Sequence, residues 1–123
     1  PDSVRAAIDV LASLIGPRVL VLGDMGEVGD NGPAMHYEVG EYARQKGIET
    51  LLTLGQATQE SARAFGAGAV VCDSTDRIRD ELAKLSAKSV LIKGSRFMRM
   101  ERVVREYLEQ FSVVSGDLVN HAV

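Results

Sequence analysis

Arg18-Val19-Leu20-Val21-Leu22, closed by Gly23 and followed at helical spacing by Met35, Val39, Tyr42 and Ala43, decides the class of this fold. After Arg18 the run is continuously apolar, the pattern of a parallel strand covered on both faces. A glycine-rich loop from Gly23 to Pro33 separates it from the amphipathic segment, which stops at Gly47. The unit then repeats. Thr50 to Leu54 reads as a second strand closed by Gly55, Ala57 to Phe65 as a weaker helix, and Ala69 to Cys72 as a third strand. Asp73 or Ser74 can cap the next helix, whose apolar face is Ile78, Leu82 and Leu85, and Ser89 to Ile92 is the fourth strand. In front of all this, Val4, Ala7, Ile8, Leu11, Leu14 and Ile15 share one helical face, with Asp2 or Ser3 as N-cap and Gly16-Pro17 as the stop. Behind it, Phe97, Met100, Val104, Leu108 and Phe111 mark a last helix.

The order αβαβαβαβα predicts an α/β fold: a Rossmann-like open, mostly parallel sheet with helices on both faces. One domain is expected over 1–123, with a lead helix over 1–16, the α/β core over 17–112, and a C-terminal tail or one added edge strand over 113–123. The 123 residues suffice for a single core, and 46% hydrophobic with 25% charged residues is ordinary for a globular protein. A net charge of −3 argues against nucleic acid as the main partner. The single cysteine, Cys72, sits in an apolar run and reads as a buried reduced thiol, in keeping with a cytoplasmic location. No run approaches the roughly 18 apolar residues of a membrane span. The opening Pro1-Asp2-Ser3 suggests a piece of a longer protein.

Ligands of such sheets bind beyond the carboxyl ends of the strands. Those ends are Gly23-Asp24, Gly55-Gln56, Asp73-Ser74 and Lys93-Gly94, so all four are expected along one rim. At Lys93-Gly94-Ser95-Arg96 a strand, a glycine and a helix-capping hydroxyl are flanked by two cations. Free backbone N–H groups and positive charge converge there, which suits a carboxylate or a phosphate. Asp24, directly after a buried strand, is held at the same rim. No G-x-x-x-x-G-K-[ST] occurs, and Gly23-Asp24-Met25-Gly26-Glu27-Val28-Gly29 lacks the dinucleotide spacing. Asp24 and Glu27 would moreover repel a pyrophosphate. Asp24, Glu27, Asp30 and His36 match no chelating loop, so no metal site is expected in this chain. Taken alone, the residues describe a small-ligand-binding α/β domain whose reaction is open.

Three stretches resemble the C-terminal domain of the Mur ligases, ATP-dependent enzymes of bacterial peptidoglycan synthesis, in particular the type that adds D-alanyl-D-alanine. Pro1-Asp2-Ser3 before an Ala/Leu-rich helix is similar to the end of that family's Y-N-A-N-P-x-S hinge. Gly23-Asp24-Met25-Gly26-Glu27-Val28-Gly29, with His36 and Val39-Gly40, is similar to its G-D-M-x-E-L-G…H…V-G segment, Val28 standing where leucine is usual. Lys93-Gly94-Ser95-Arg96 with Met100-Glu101 is similar to its K-G-S-R-x-x-x-M-E segment. The likeness runs from residue 1 to about residue 110.

The resemblance implies a ligase in which ATP phosphorylates the terminal carboxylate of UDP-N-acetylmuramoyl-tripeptide and the amine of D-alanyl-D-alanine attacks the acyl phosphate. ATP and Mg²⁺ would be held mainly by a central domain outside this chain, so nothing is expected tightly bound here. This domain would close over the ATP site and position the dipeptide. Its partners would be those small molecules and its own upstream domains. The implied substrate-binding residues are Lys93, Gly94, Ser95 and Arg96. Asp24 and Glu27 would face the nucleotide or the amine, and Asp24 and His36 are the implied catalytic positions. The alternatives are another Mur-type amino-acid ligase and a stand-alone small-ligand-binding or regulatory module.

Overall fold

The computed structural model describes residues 2–25, 31–94, 112–114 and 118–121. α1 (Asp2–Ser13) leads into β1 (Arg18–Gly23), then α2 (Gly32–Gln45), β2 (Thr50–Leu54), α3 (Thr58–Phe65), β3 (Ala69–Cys72), α4 (Thr75–Lys84) and β4 (Ser89–Lys93). Two short strands follow, β5 (Ser112–Val114) and β6 (Leu118–His121). The sheet order is β3-β2-β1-β4-β6-β5. β1 to β4 run parallel, in register Val21↔Leu52 and Val21↔Ile92, as the apolar runs require.

Successive residues of each strand supply two separate cores. Leu20, Leu22, Leu51 and Leu91 pack under Val4, Ile8 and Leu11 of α1, Val39 and Ala43 of α2, and Phe65 of α3. Val19, Val21, Leu52, Val90 and Ile92 pack on the other face against Ile78 and Leu82 of α4. The first three helices therefore cover one face and α4 the other. The chain winds outward from β1 to β3 and then returns past β1 to β4. That reversal puts the topological switch point between β1 and β4, where open α/β sheets bind ligands.

Local sequence sets the element ends. Asn31 precedes α2 and Pro33 occupies its first turn, a position that needs no N–H donor. Of the two caps expected for α4, Ser74 serves: its Oγ accepts the Arg77 N–H at 3.1 Å. Asp2 and Ser3, expected as caps of α1, already lie in its first turn. At the amino edge of the sheet, the Arg18 guanidinium donates to Ala12 O (2.5 Å), Gly47 O (3.2 Å) and Glu49 Oε1 (3.0 Å). It thereby ties α1 and the end of α2 to the sheet at the edge opposite the rim. Burial pushes the Glu49 carboxyl up, yet the Arg18 side chain and N–H outweigh this and hold it below the usual carboxylate range.

Over 113–123 one edge strand or a tail was the expectation, and the structure sets two strands. β6 pairs antiparallel with β4 (Leu91↔Val119), and β5 pairs with β6 (Val113↔Asn120). Ser112–Val114 is too short to carry a readable period, and Leu118–His121, unlike Ala69–Cys72, is not a continuous apolar run. The helix expected over Phe97 to Phe111 lies outside the described residues.

Candidate functional site

β1 and β4 leave the sheet side by side, Leu22 opposite Lys93. Gly94 follows with φ +142, and a Cβ there would sit 2.9 Å from the Gly23 Cα and 3.0 Å from its nitrogen. No side chain fits between the two strand ends, so bare backbone lines the switch point. Strand spacing of about 4.8 Å and a rise of about 3.3 Å per residue place the Cα atoms of Lys93 and Asp24 within about 10 Å. Lys93 is half-buried. Ser95, Arg96 and Glu27 lie outside the described residues. Two of the four strand ends expected along one rim, Gly23 and Gly94, are in contact, while residues 26–30 of the loop after β1 lie outside the described residues.

Asp24 reaches across to β2. Its Oδ1 accepts the Thr58 N–H at 3.0 Å and its Oδ2 the Ala57 N–H at 3.3 Å. Ala57 provides no side-chain cap for α3, so the carboxylate from the end of β1 takes that place and lies on the positive end of the helix dipole. The approach needs Gly55, at φ +119, because a Cβ there would come within 2.7 Å of Asp24 Oδ2.

His36 is fully buried in α2. Its Nδ1 is 2.6 Å from Gly32 O, and the Met25 N–H donates to Nε2 at 3.2 Å. Both ring nitrogens are thus engaged inside the protein, one turn below the rim. Ser61 Oγ donates to His36 O at 2.5 Å where α2 and α3 cross.

Beyond β1, β2 and β3 opens a cleft of about 680 Å³, bounded by Asp24, Gln56, Gln59, Cys72, Asp73 and Arg77. Sequence reading placed Gly55-Gln56 and Asp73 on this rim, but not the reach of Asp24 to the start of α3. The hint was Gly55-Gln56-Ala57-Thr58, a helix start with no cap of its own, which requires an acceptor from elsewhere. Burial pushes the Cys72 thiol up, which leaves it a poor nucleophile. The hydrogen bond from Arg77 Nε to Glu81 (2.9 Å) holds that carboxyl below its usual range. Among the described residues, no three His, Cys, Asp or Glu side chains gather as a metal site. No helix among them is long and apolar enough to cross a membrane.

The rim thus sets Lys93 and the bare backbone of Gly23 and Gly94 at the end of β1 and β4, with the Asp24 carboxylate fixed on the β2 side. Residues 1–96 match the family model described as Mur ligase, glutamate ligase domain. The chain is 40% identical over 110 residues to the UDP-N-acetylmuramoyl-tripeptide–D-alanyl-D-alanine ligase of Escherichia coli K12, covering 87% of this chain and 24% of that protein. The Haemophilus influenzae enzyme of the same name is 36% identical over 110 residues, covering 84% and 24%. A crystal structure of MurF from Acinetobacter baumannii superposes with a TM-score of 0.77 at 28% identity, over 89% of this chain and 25% of that one. The chain thus spans about a quarter of the length of the curated relatives it matches. The likeness read from three short motifs extends over residues 1–96, and the chain belongs to the Mur ligase, glutamate ligase domain family.

Proposed function

We propose that this chain is the amine-delivering domain of an ATP-dependent peptide ligase that joins D-alanyl-D-alanine to UDP-N-acetylmuramoyl-tripeptide in the cytoplasm, for peptidoglycan synthesis. One observation carries the reading: the Lys93-Gly94 turn is seated against Gly23 at the switch point of the sheet. There Lys93, the Gly94 backbone, Ser95 and Arg96 bind the carboxylate of the incoming dipeptide through charge-assisted hydrogen bonds. A carboxylate held at one end leaves the amine at the other free to attack an acyl phosphate presented by the upstream domains. The contribution of this chain is orientation, which converts a bimolecular attack into one within a closed complex. Asp24 and Glu27 are assigned to the amine or to the nucleotide. Mg²⁺ would sit with ATP, held mainly by the upstream domains.

The sequence has no phosphate-binding G-K-[ST] loop, so the 123-residue chain alone is expected to turn over no ATP. The ligase polypeptide that carries it should release orthophosphate in step with peptide product when tripeptide, dipeptide and ATP are all supplied. Coupled phosphate release on both proteins is the measurement. ATP hydrolysis by the isolated chain above background would overturn this division of labour.

A further inference from the structure

We infer that His36 is a positioning residue, acting through the Met25 N–H to fix the Asp24 carboxylate at the rim, with Ser61 as its second support. The hydrogen bonds close on themselves. Asp24 accepts from Ala57 and Thr58 at the start of α3. One turn further along α3, Ser61 Oγ donates to the His36 carbonyl in α2. The His36 ring then accepts the N–H of Met25, the residue that follows Asp24 in the chain. β1, α2 and α3 are thereby joined in a circuit that begins and ends at the Asp24–Met25 peptide.

The geometry fixes the ring as well as the circuit. Gly32 O can only accept, so Nδ1 carries the hydrogen; the Met25 N–H can only donate, so Nε2 presents its lone pair. Both nitrogens being so engaged, and the ring having no exposed surface, His36 has no nitrogen to offer a reacting group. Close packing holds the frame. A Cβ on Gly40 would lie 2.7 Å from the Ser61 Cα, and one on Gly55 would meet the Asp24 carboxylate, so the helices and the carboxylate approach as nearly as backbone allows. Such closed networks resist loosening at any one link, because each bond holds the donors and acceptors of the next in place.

Two variants separate the contributions of the ring. Asn in place of His36 keeps a donor near the Nδ1 position and falls short of Met25. Gln reaches the Nε2 position with an acceptor and gives up the Gly32 bond. In the 123-residue chain, His36→Asn should speed amide exchange at Met25, Ala57 and Thr58 by about tenfold or more, while His36→Gln stays near wild type. Ring ¹⁵N shifts should report the hydrogen on Nδ1.

The kinetic arm rests on the ligase reading above. There His36→Asn should lower kcat by roughly tenfold with KM for the amine substrate within about twofold, and His36→Gln should recover most of the loss. Equal loss of kcat in both variants with Met25 still protected would make the ring a proton carrier and overturn the inference. So would unchanged kcat and exchange in both, with only the melting temperature lowered, or a hydrogen found on Nε2. If His36→Asn does not fold, Ser61→Ala is the second probe and should speed Met25 exchange with the ring tautomer unchanged; unaltered exchange there also overturns it. The exchange and ring measurements need no turnover, so they stand even if the ligase assignment fails.

Discussion

Gly40→Ala should be among the most destabilising single-methyl changes in this protein. The added Cβ would lie 2.7 Å from both the carbonyl carbon and the Cα of Ser61, and closer still to the Ser61 carbonyl oxygen. These are backbone atoms of α3, so no side-chain rotation relieves the clash and the two helices must move apart. Separation also breaks the Ser61 to His36 bond and opens the core under Val39 and Ala43. Overpacking typically costs about 1–3 kcal/mol, and with rigid backbone as the obstacle the loss should be at or beyond the upper end, a large fraction of the roughly 5–15 kcal/mol that holds a domain together. A fall in melting temperature on the order of 10 °C is expected by circular dichroism. A melting temperature within about 2 °C of wild type would show that α2 and α3 do not cross this closely.

Gly94→Ala should be nearly as costly and should strike the proposed site directly. Two penalties add there. A φ of +142 is strained for any residue with a side chain, at about 1–3 kcal/mol, and the new methyl meets the Gly23 backbone at 2.9 Å. β1 and β4 must spread where they leave the sheet, which displaces Lys93 and the turn after it. Gly47→Ala is the control, since Gly47 also has positive φ (+81) but nothing lies within 4 Å of its added Cβ. That variant should lose only about 1 kcal/mol and leave the rim untouched. In the ligase polypeptide, Gly94→Ala should reduce kcat/KM for the amine substrate by on the order of a hundredfold, against less than about threefold for Gly47→Ala. Equal effects of the two would mean that Gly94 contributes only its backbone strain.

The architecture was legible because its strands are long enough and apolar enough to be read singly. Val19 to Leu22 and Val90 to Ile92 are buried on both faces, so each declares itself as an interior parallel strand without help from the other. The rim followed from topology, since parallel strands joined by helices must all end on one side. β5 and β6 were not legible in this way: neither is a continuous apolar run of four or more residues, and their place in the sheet comes from β6 pairing with β4 and β5 with β6. The roles of single side chains were harder still. Asp24 reads in sequence as an acid held at the end of a strand, and only the packing of α3 beside it shows both oxygens taken by the N–H groups of Ala57 and Thr58. Asp24→Asn, nearly isosteric on paper, would therefore set an amide N–H against a backbone N–H and weaken the start of α3 as well as removing a charge. His36 carries the same lesson. A histidine in a matching motif suggests chemistry, but its surroundings are two backbone groups that fill both nitrogens.

The central claim is that the cationic turn after β4 anchors the carboxylate of the amine substrate. Steady-state kinetics of the ligase polypeptide carrying Lys93→Ala or Arg96→Ala, with D-alanyl-D-alanine and ATP varied in turn, tests it most directly. A hydrogen bond to a charged group contributes on the order of 1.5–3 kcal/mol, so each variant should raise KM for the dipeptide roughly ten- to a hundredfold. Arg96→Lys should be costly too, because lysine keeps the charge but loses the planar two-point contact. KM for ATP should stay within about twofold, as expected of an anchor that serves the dipeptide alone and is engaged equally before and during the reaction. A raised KM for ATP with the dipeptide KM unchanged would make the turn a nucleotide contact and contradict the account.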